Sequence, residues 1–257
     1  MRGFLITKTL PRSPHSLVPM ESHLAELADG TRRVQCLLNV YDPQVEEVPS
    51  WIGDRHPWTG LDHPNLIRVI ASGWDPSSRR FYWAIELVPF GFNLARFLST
   101  QLQRKSLLSV KETQYVMGGV AAGLAALHRA GRRAYVLAPS TVYLSRKGQI
   151  RISPGGERLP AYLAPEALMG TSRPGRASDV YSLGVMLYEM IELHHPRGTN
   201  HQQNIIPLIE ELARGPLRPT RRAPPAFAKI LQAMLALEPG DRPSAAEVER
   251  FLQTYDD

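Results

Sequence analysis

The 257-residue sequence is short of several things, and each shortage excludes a class of protein. There is one cysteine, Cys36, so no intramolecular disulfide framework exists, and a lone thiol suits a reducing compartment. No apolar run is long enough to cross a bilayer, and the opening Met1-Arg2-Gly3-Phe4-Leu5-Ile6-Thr7-Lys8 is interrupted too soon for a signal peptide. The expectation is a cytoplasmic protein without a transmembrane segment. Internal repeats and low-complexity tracts are absent, which excludes solenoids and biased linkers. No lysine occurs between Thr9 and Lys105, and from Arg132 to Pro165 the sole acidic side chain is Glu157.

What is there is ordinary for a soluble globular chain: 43% hydrophobic and 21% charged residues, enough for one large domain or two small lobes. The formal charge is +6, which favours acidic partners. The pairs Arg32-Arg33, Arg79-Arg80, Arg132-Arg133 and Arg221-Arg222 are scattered, and no aromatic residues interleave with them as a stacking groove requires. They read as solvated loop or strand-edge residues, and nucleic acid is not an expected partner. Cys36 reads as an inert strand residue and His194-His195 as a solvated loop at a helix end, without further ligands at metal spacing. Trp51, Trp58, Trp74 and Trp83 read as packing, with an exposed Trp51 or Trp58 as an alternative partner surface.

The chain changes period near Pro89-Phe90-Gly91. Before it, strands are predicted at Phe4 to Lys8, Val18 to Leu27, Arg33 to Val40, Leu66 to Gly73 and Arg80 to Val88. Asp29-Gly30 is a hairpin signal, and Trp74-Asp75-Pro76-Ser77 reads as a second turn. Pro43 to Gly60 holds at most a short helix. After the boundary the pattern is helical. Ser109 with Glu112 forms a capping box ahead of the stripe Val116, Val120, Leu124 and Leu127, and Gly131 stops that helix. Asp179 to Ile191 is apolar nearly all round, as a buried helix should be. Phe227, Ile230, Leu231, Met234 and Leu235 form another stripe, and a capping box of Ser244 and Glu247 opens the last helix.

Four stretches carry a resemblance. They are Tyr162-Leu163-Ala164-Pro165-Glu166, the run Ser178 to Glu189, Leu237 to Ser244, and His63-Pro64-Asn65. In order and spacing they resemble the protein-kinase family: the end of the activation segment, the central buried helix, the segment before the last helix, and a turn in the small lobe. The resemblance implies an α+β, bilobal kinase-like fold over residues 1–257, with a β-rich lobe at 1–89 and a helical lobe at 90–257. It also implies structural roles, with Glu166 paired to Arg242 in a buried ion pair and Asp179 accepting backbone hydrogen bonds from the former catalytic loop.

Against that pattern, the positions that carry phosphoryl transfer are altered. The phosphate-cradling loop, Thr9 to Leu17, has no glycine and carries Pro11 and Pro14, which removes backbone donors. Val34-Gln35-Cys36-Leu37 aligns with Val-Ala-Ile-Lys, so Leu37 stands for the phosphate-binding lysine. Gln35 replaces the small residue beside adenine. Glu46, Glu47 and Asp54 are poor candidates for the lysine's acidic partner. Ala134 to Thr141 aligns with His-Arg-Asp-Leu-Lys-Pro-x-Asn, which puts Val136 at the base position and Thr141 at a metal-binding asparagine. Ser153-Pro154-Gly155 aligns with Asp-Phe-Gly, leaving Ser153 for the second metal ligand, and hydroxyls are poor magnesium ligands beside carboxylates. Tyr143 falls where an aliphatic side chain underlies adenine, so Gln35 and Tyr143 are expected to crowd that pocket. The short segment from Ser153 to Glu166 has no hydroxyl residue besides Ser153 and Tyr162, so a phosphorylation switch has little to act on there, and one fixed conformation is expected.

These departures give the expectation of a pseudokinase: no enzyme, no cofactor, no bound ATP or metal, acting in signalling as a protein-binding scaffold or allosteric regulator with an unidentified protein partner. The alternative is a kinase-fold enzyme with atypical nucleotide-dependent transfer, for which Arg12, His15, Glu157 and Arg158 are the candidates. Nucleic-acid binding through arginines is a third reading.

Overall fold

The computed structural model describes residues 3–11, 20–29, 32–41, 55–87, 90–155, 159–198, 208–210, 220 and 222–256. Contacts divide the chain into two compact units, Met1–Pro89 and Phe90–Asp257.

The first unit is built on one antiparallel sheet. Its strands are β1 (Phe4–Thr9), β2 (Met20–Asp29), β3 (Arg32–Tyr41), β4 (Val69–Asp75) and β5 (Arg80–Glu86), in the order β1-β2-β3-β5-β4. Alternation fixes which side chains face inward. Cys36, Leu38 and Val40 of β3 bury one face with Ala25 and Ala84, and Phe4, Leu27, Ile70 and Tyr82 pack against them. Gln35 is exposed and Leu37 half-buried on the opposite face of β3. The β2–β3 pairing runs in continuous register from Met20 opposite Tyr41 to Asp29 opposite Arg32.

Both ends of β4 differ from the sequence reading. Leu66 and Ile67 are buried, but they precede the strand: Leu66 N–H donates to the His63 carbonyl at 3.0 Å, closing a turn. Trp74 and Asp75 still belong to β4, and the reversal follows them, with Arg79 in the left-handed region at φ 53°. Trp58 is 1% exposed and Trp83 3%, whereas Trp74 is 46% exposed. Trp58 is therefore core and not a partner surface. Its indole meets the His56 ring edge-on at 6.2 Å, and His56 lies 5.6 Å from Trp83. Trp51 lies outside the described residues, as does most of Pro43 to Gly60.

The second unit begins with β6 (Phe90–Asn93), which pairs with β7 (Val142–Ser145), and β7 pairs with β8 (Ile150–Ile152). Around this small sheet lie α1 (Leu94–Arg104), α2 (Val110–Arg129), α3 (Pro165–Leu168), α4 (Arg176–Glu192), α5 (Pro225–Met234) and α6 (Ala245–Thr254). Ser109 and Glu112 form the capping box of α2, and Ser244 and Glu247 that of α6. Gly131 ends α2 at φ 73°, with Arg132 N–H donating to the Leu127 carbonyl and Gly131 N–H to that of His128. This pair of bonds is a Schellman motif, and the left-handed residue it needs is a glycine.

Helix α4 is the centre of the unit: Val180 to Leu187 is buried without interruption. Gly184 allows α5 to approach, since an added Cβ would lie 3.0 Å from Met234 Cβ and 3.1 Å from Leu235 Cδ2. Gly184→Ala is expected to destabilise the chain by about 1–3 kcal/mol through overpacking, read from the midpoint of a urea melt. Gln114 ties α2 to the end of α6, its Nε2 donating to the carbonyls of Leu252 and Tyr255 at 2.8 and 2.7 Å.

Candidate functional site

The best-built polar constellation of the second unit lies where α3 meets the start of α4. Glu166 is held in α3, right after the Pro165 that starts the helix, where a fixed φ and no lost donor suit the first position. Its carboxylate faces Arg242 in a two-pronged pair, Nη1 to Oε1 and Nη2 to Oε2, both 2.8 Å. The Arg242 side chain is 0% exposed in this pair and that of Glu166 7%. The three remaining guanidinium N–H groups donate to the carbonyls of Ala236, Ala177 and Leu237. Every donor of the buried cation is thus satisfied, the condition under which such a pair holds. The Ser178 hydroxyl adds a 2.6 Å bond to Glu166 Oε1. Burial works to raise the Glu166 carboxyl, but the bonds from Arg242 and Ser178 outweigh it, and its pKa sits below the usual carboxylate range.

At the next residue, Asp179 Oδ2 accepts two bonds of 2.9 Å, from the Ala134 backbone N–H and from His128 Nε2. This fixes the start of the loop 134–141 to α4. Tyr135 then takes a left-handed φ of 61°, with the Arg133 guanidinium 5.0 Å over its ring. Arg133 also donates to the Pro174 carbonyl. Val136 is half-buried, and its N–H donates to the Ala134 carbonyl at 2.7 Å. Thr141 is 2% exposed, and its hydroxyl closes the loop on itself: it donates to the Ala138 carbonyl at 2.9 Å and accepts from the Ala138 N–H at 3.2 Å. Ser153 is 7% exposed, with its N–H donating to the Thr141 carbonyl at 2.8 Å.

Thr141 and Ser153 are therefore adjacent through the backbone, and each carries a hydroxyl side chain. Neither position offers a carboxylate or amide oxygen, and the Thr141 hydroxyl is already committed to Ala138. Tyr143 of β7 stands opposite Asn93 and Arg151 in the small sheet, half-buried, and burial pushes its phenol pKa up. Gln35 and Leu37 belong to the first unit, and Val136, Thr141, Tyr143 and Ser153 to the second. Arg12, His15, Glu157 and Arg158 lie outside the described residues.

Three partners were missed by the sequence reading. In the sequence Ser178 only opens the run to Glu189, with no role of its own. Glu189 was absorbed into an apolar helix, yet an acid inside such a run is itself a signal. It is 8% exposed and accepts from Tyr162 Oη at 2.8 Å, while the Ser182 hydroxyl donates to the Tyr162 carbonyl at 2.7 Å. His195 is not the solvated loop residue that the sequence suggests. It is 3% exposed, with Nε2 donating to the Ala161 carbonyl at 3.0 Å and Nδ1 accepting from Arg197 N–H at 3.1 Å.

A protein-family model described as protein kinase domain matches residues 158–251. Serine/threonine-protein kinase PknK of Mycobacterium bovis is 27% identical over 201 residues, covering 72% of this chain and 18% of its own length. Serine/threonine-protein kinase PkaB of Streptomyces coelicolor is 27% identical over 261 residues, covering 90% of this chain and 58% of its own length. The kinase domain of PknI from Mycobacterium tuberculosis, a crystal structure, aligns over 98% of this chain and 96% of its own with a TM-score of 0.74 at 19% identity. The chain is a protein kinase-like superfamily member. Its α+β architecture, an antiparallel sheet unit followed by a largely helical one, is the kinase fold. This kinase-like chain spans less than two thirds of the length of these curated relatives.

The comparisons correct one expectation. An inactive scaffold conflicts with relatives that match most of the chain and bear the name serine/threonine-protein kinase. The physical reason lies in what the altered residues are worth. Phosphoryl transfer is carried mainly by positioning and charge stabilisation, and a general base typically contributes a rate factor of about 10²–10⁴. Side-chain identities at Leu37, Val136, Thr141 and Ser153 describe a departure from the family pattern and do not demonstrate inactivity.

Proposed function

We propose that this chain works in signalling as a domain of serine/threonine-protein-kinase type, acting on a protein partner in the cytoplasm. The reading is carried by the Glu166–Arg242 pair, which anchors the segment ending in Tyr162-Leu163-Ala164-Pro165-Glu166 to the helical unit. That segment and the loop 135–138 line one small pocket. A segment anchored beside that loop is what positioning of a protein hydroxyl requires. Along this axis the relatives' printed names supply the reaction class, transfer of phosphate to a serine or threonine hydroxyl.

Leu37, Val136, Thr141 and Ser153 set the chemistry apart within that class. Valine has no lone pair with which to take a proton, so the proton of the acceptor hydroxyl passes to solvent or to an oxygen of the phosphoryl group being transferred. No magnesium step is assigned to Thr141 or Ser153. The test is transfer of label from ATP to a generic protein substrate by the natural chain and by a variant with Leu37→Lys, Val136→Asp, Thr141→Asn and Ser153→Asp. The four-fold variant is expected to transfer at least ~10² faster. Equal rates would remove these positions from the chemistry. No transfer from either folded protein would sink the kinase-type reading. A melting-temperature rise on adding ATP is expected as well, and its absence would favour the nucleotide-free reading drawn from sequence.

A further inference from the structure

Glu189 is 8% exposed near the end of α4, and among the described residues it has no ion-pair partner. Its hydrogen-bond donor is the Tyr162 hydroxyl. Beside this pair lies a cavity of about 250 Å³, walled on one side by Leu98 and Leu102 of α1 and on the other by Leu193 and His195. Tyr162 is held at three further points: its N–H donates to the Leu159 carbonyl, its carbonyl accepts from Ser182, and its ring meets His195 edge-on at 5.6 Å. It also begins the stretch that ends at Glu166. A buried carboxylate with a single neutral donor is therefore attached to the segment beside Val136.

We propose that Glu189 and Tyr162 form a proton-operated latch on the segment 159–166: the protonated Glu189 carboxyl keeps the segment docked beside the cavity, and loss of that proton loosens it. A buried negative charge loses hydration that one tyrosine hydroxyl does not replace. Burial accordingly pushes the Glu189 carboxyl up to about 7, with the Tyr162 bond pulling the other way. The described charged or titratable groups that face Glu189 are few. Tyr162 comes from the segment, His194 and His195 follow the helix, and Tyr188 and Glu192 lie along α4 itself. The cavity residues of α1, Ala95, Leu98, Ser99 and Leu102, bring none. His195 has both ring nitrogens engaged, with Ala161 and Arg197.

The sign follows from linkage. A raised carboxyl pKa means the closed segment binds the proton more tightly than the open one, so closure weakens as pH rises from about 4.5 and levels off above about 7. Hydrogen exchange of the 159–168 amides, corrected for intrinsic rates, measures the opening equilibrium. Between pH 6 and 8.5, protection in the full natural chain is expected to fall about tenfold, the value two pKa values of about 7 and 4.5 give by linkage. In Glu189→Gln, which retains an acceptor for Tyr162, protection is expected to stay flat. Parallel profiles in the two proteins, or protection that rises with pH in the natural chain, would overturn the latch. Tyr162→Phe supplies the second arm: losing the hydroxyl should move the natural midpoint upward, and an unmoved or lowered midpoint counts against the proposal.

Discussion

Arg242→Met is expected to lower the stability of the chain by about 3–5 kcal/mol, because it leaves the Glu166 carboxylate buried without its cation. For a chain of this size, that is a drop in melting temperature of roughly 6–20 °C. The loss exceeds that of one ordinary hydrogen bond since Arg242 also satisfies the carbonyls of Ala236, Ala177 and Leu237. Its pH dependence identifies the cause. In the natural chain the Glu166 pKa is lowered, so the pair contributes stability above the ordinary carboxyl range and loses it as pH falls through the folded value. In Arg242→Met, burial acts on Glu166 without the Arg242 bonds that outweighed it, and the pKa rises even with the Ser178 bond in place. The deficit of the variant is therefore expected to shrink as pH is lowered from 8 towards 5. A deficit independent of pH would mean that packing, and not the stranded charge, causes the loss. Adding Glu166→Leu should recover much of the stability, as replacing both partners by apolar groups often does.

Trp58→Ala is expected to cost about 3–5 kcal/mol in the unfolding of the first unit, by loss of a large buried side chain and the cavity left behind. Trp58 is among the largest fully buried side chains, and its indole lies against His56. Its backbone N–H donates to His56 Nδ1 at 3.1 Å, a bond that needs the neutral imidazole. Burial holds the His56 pKa down to about 4. Stability from a buried neutral histidine rises with pH between that value and the ordinary 6.5, and is lost on acidification. Trp74→Ala, at a side chain 46% exposed, is expected to stay within about 0.5 kcal/mol of the natural chain. Equal effects at the two tryptophans, measured in the same denaturant melt, would contradict the placement of Trp58 in the core.

Much of the fold was legible because its signals are local. Alternation in β2 and β3, the two capping boxes, Gly131 and the apolar run of α4 each depend on neighbours a few residues apart, where periodicity and capping chemistry operate. The Tyr162 to Glu166 and Ser178 to Glu189 runs carried the family resemblance for the same reason. Strand ends were less legible. Leu66 and Ile67 have the composition of a strand, but a turn bond to His63 claims the backbone there.

The sequence alone determined which atoms the chemistry has at its disposal: no lysine at Leu37, no carboxylate at Val136, and hydroxyls at Thr141 and Ser153. Those are facts of composition, and folding cannot add a functional group. Tertiary structure decided the environment of each group. Thr141 turns its hydroxyl onto Ala138, Trp58 and His195 go inside, and Glu189 meets Tyr162 from 27 residues away, with no cation paired to it among the described residues. Burial and partnership set the energy of a polar group, and both arise from residues distant in the chain. The same acid in α4 is an ordinary helix residue when read in sequence and a group that titrates at about 7 once the fold closes over it.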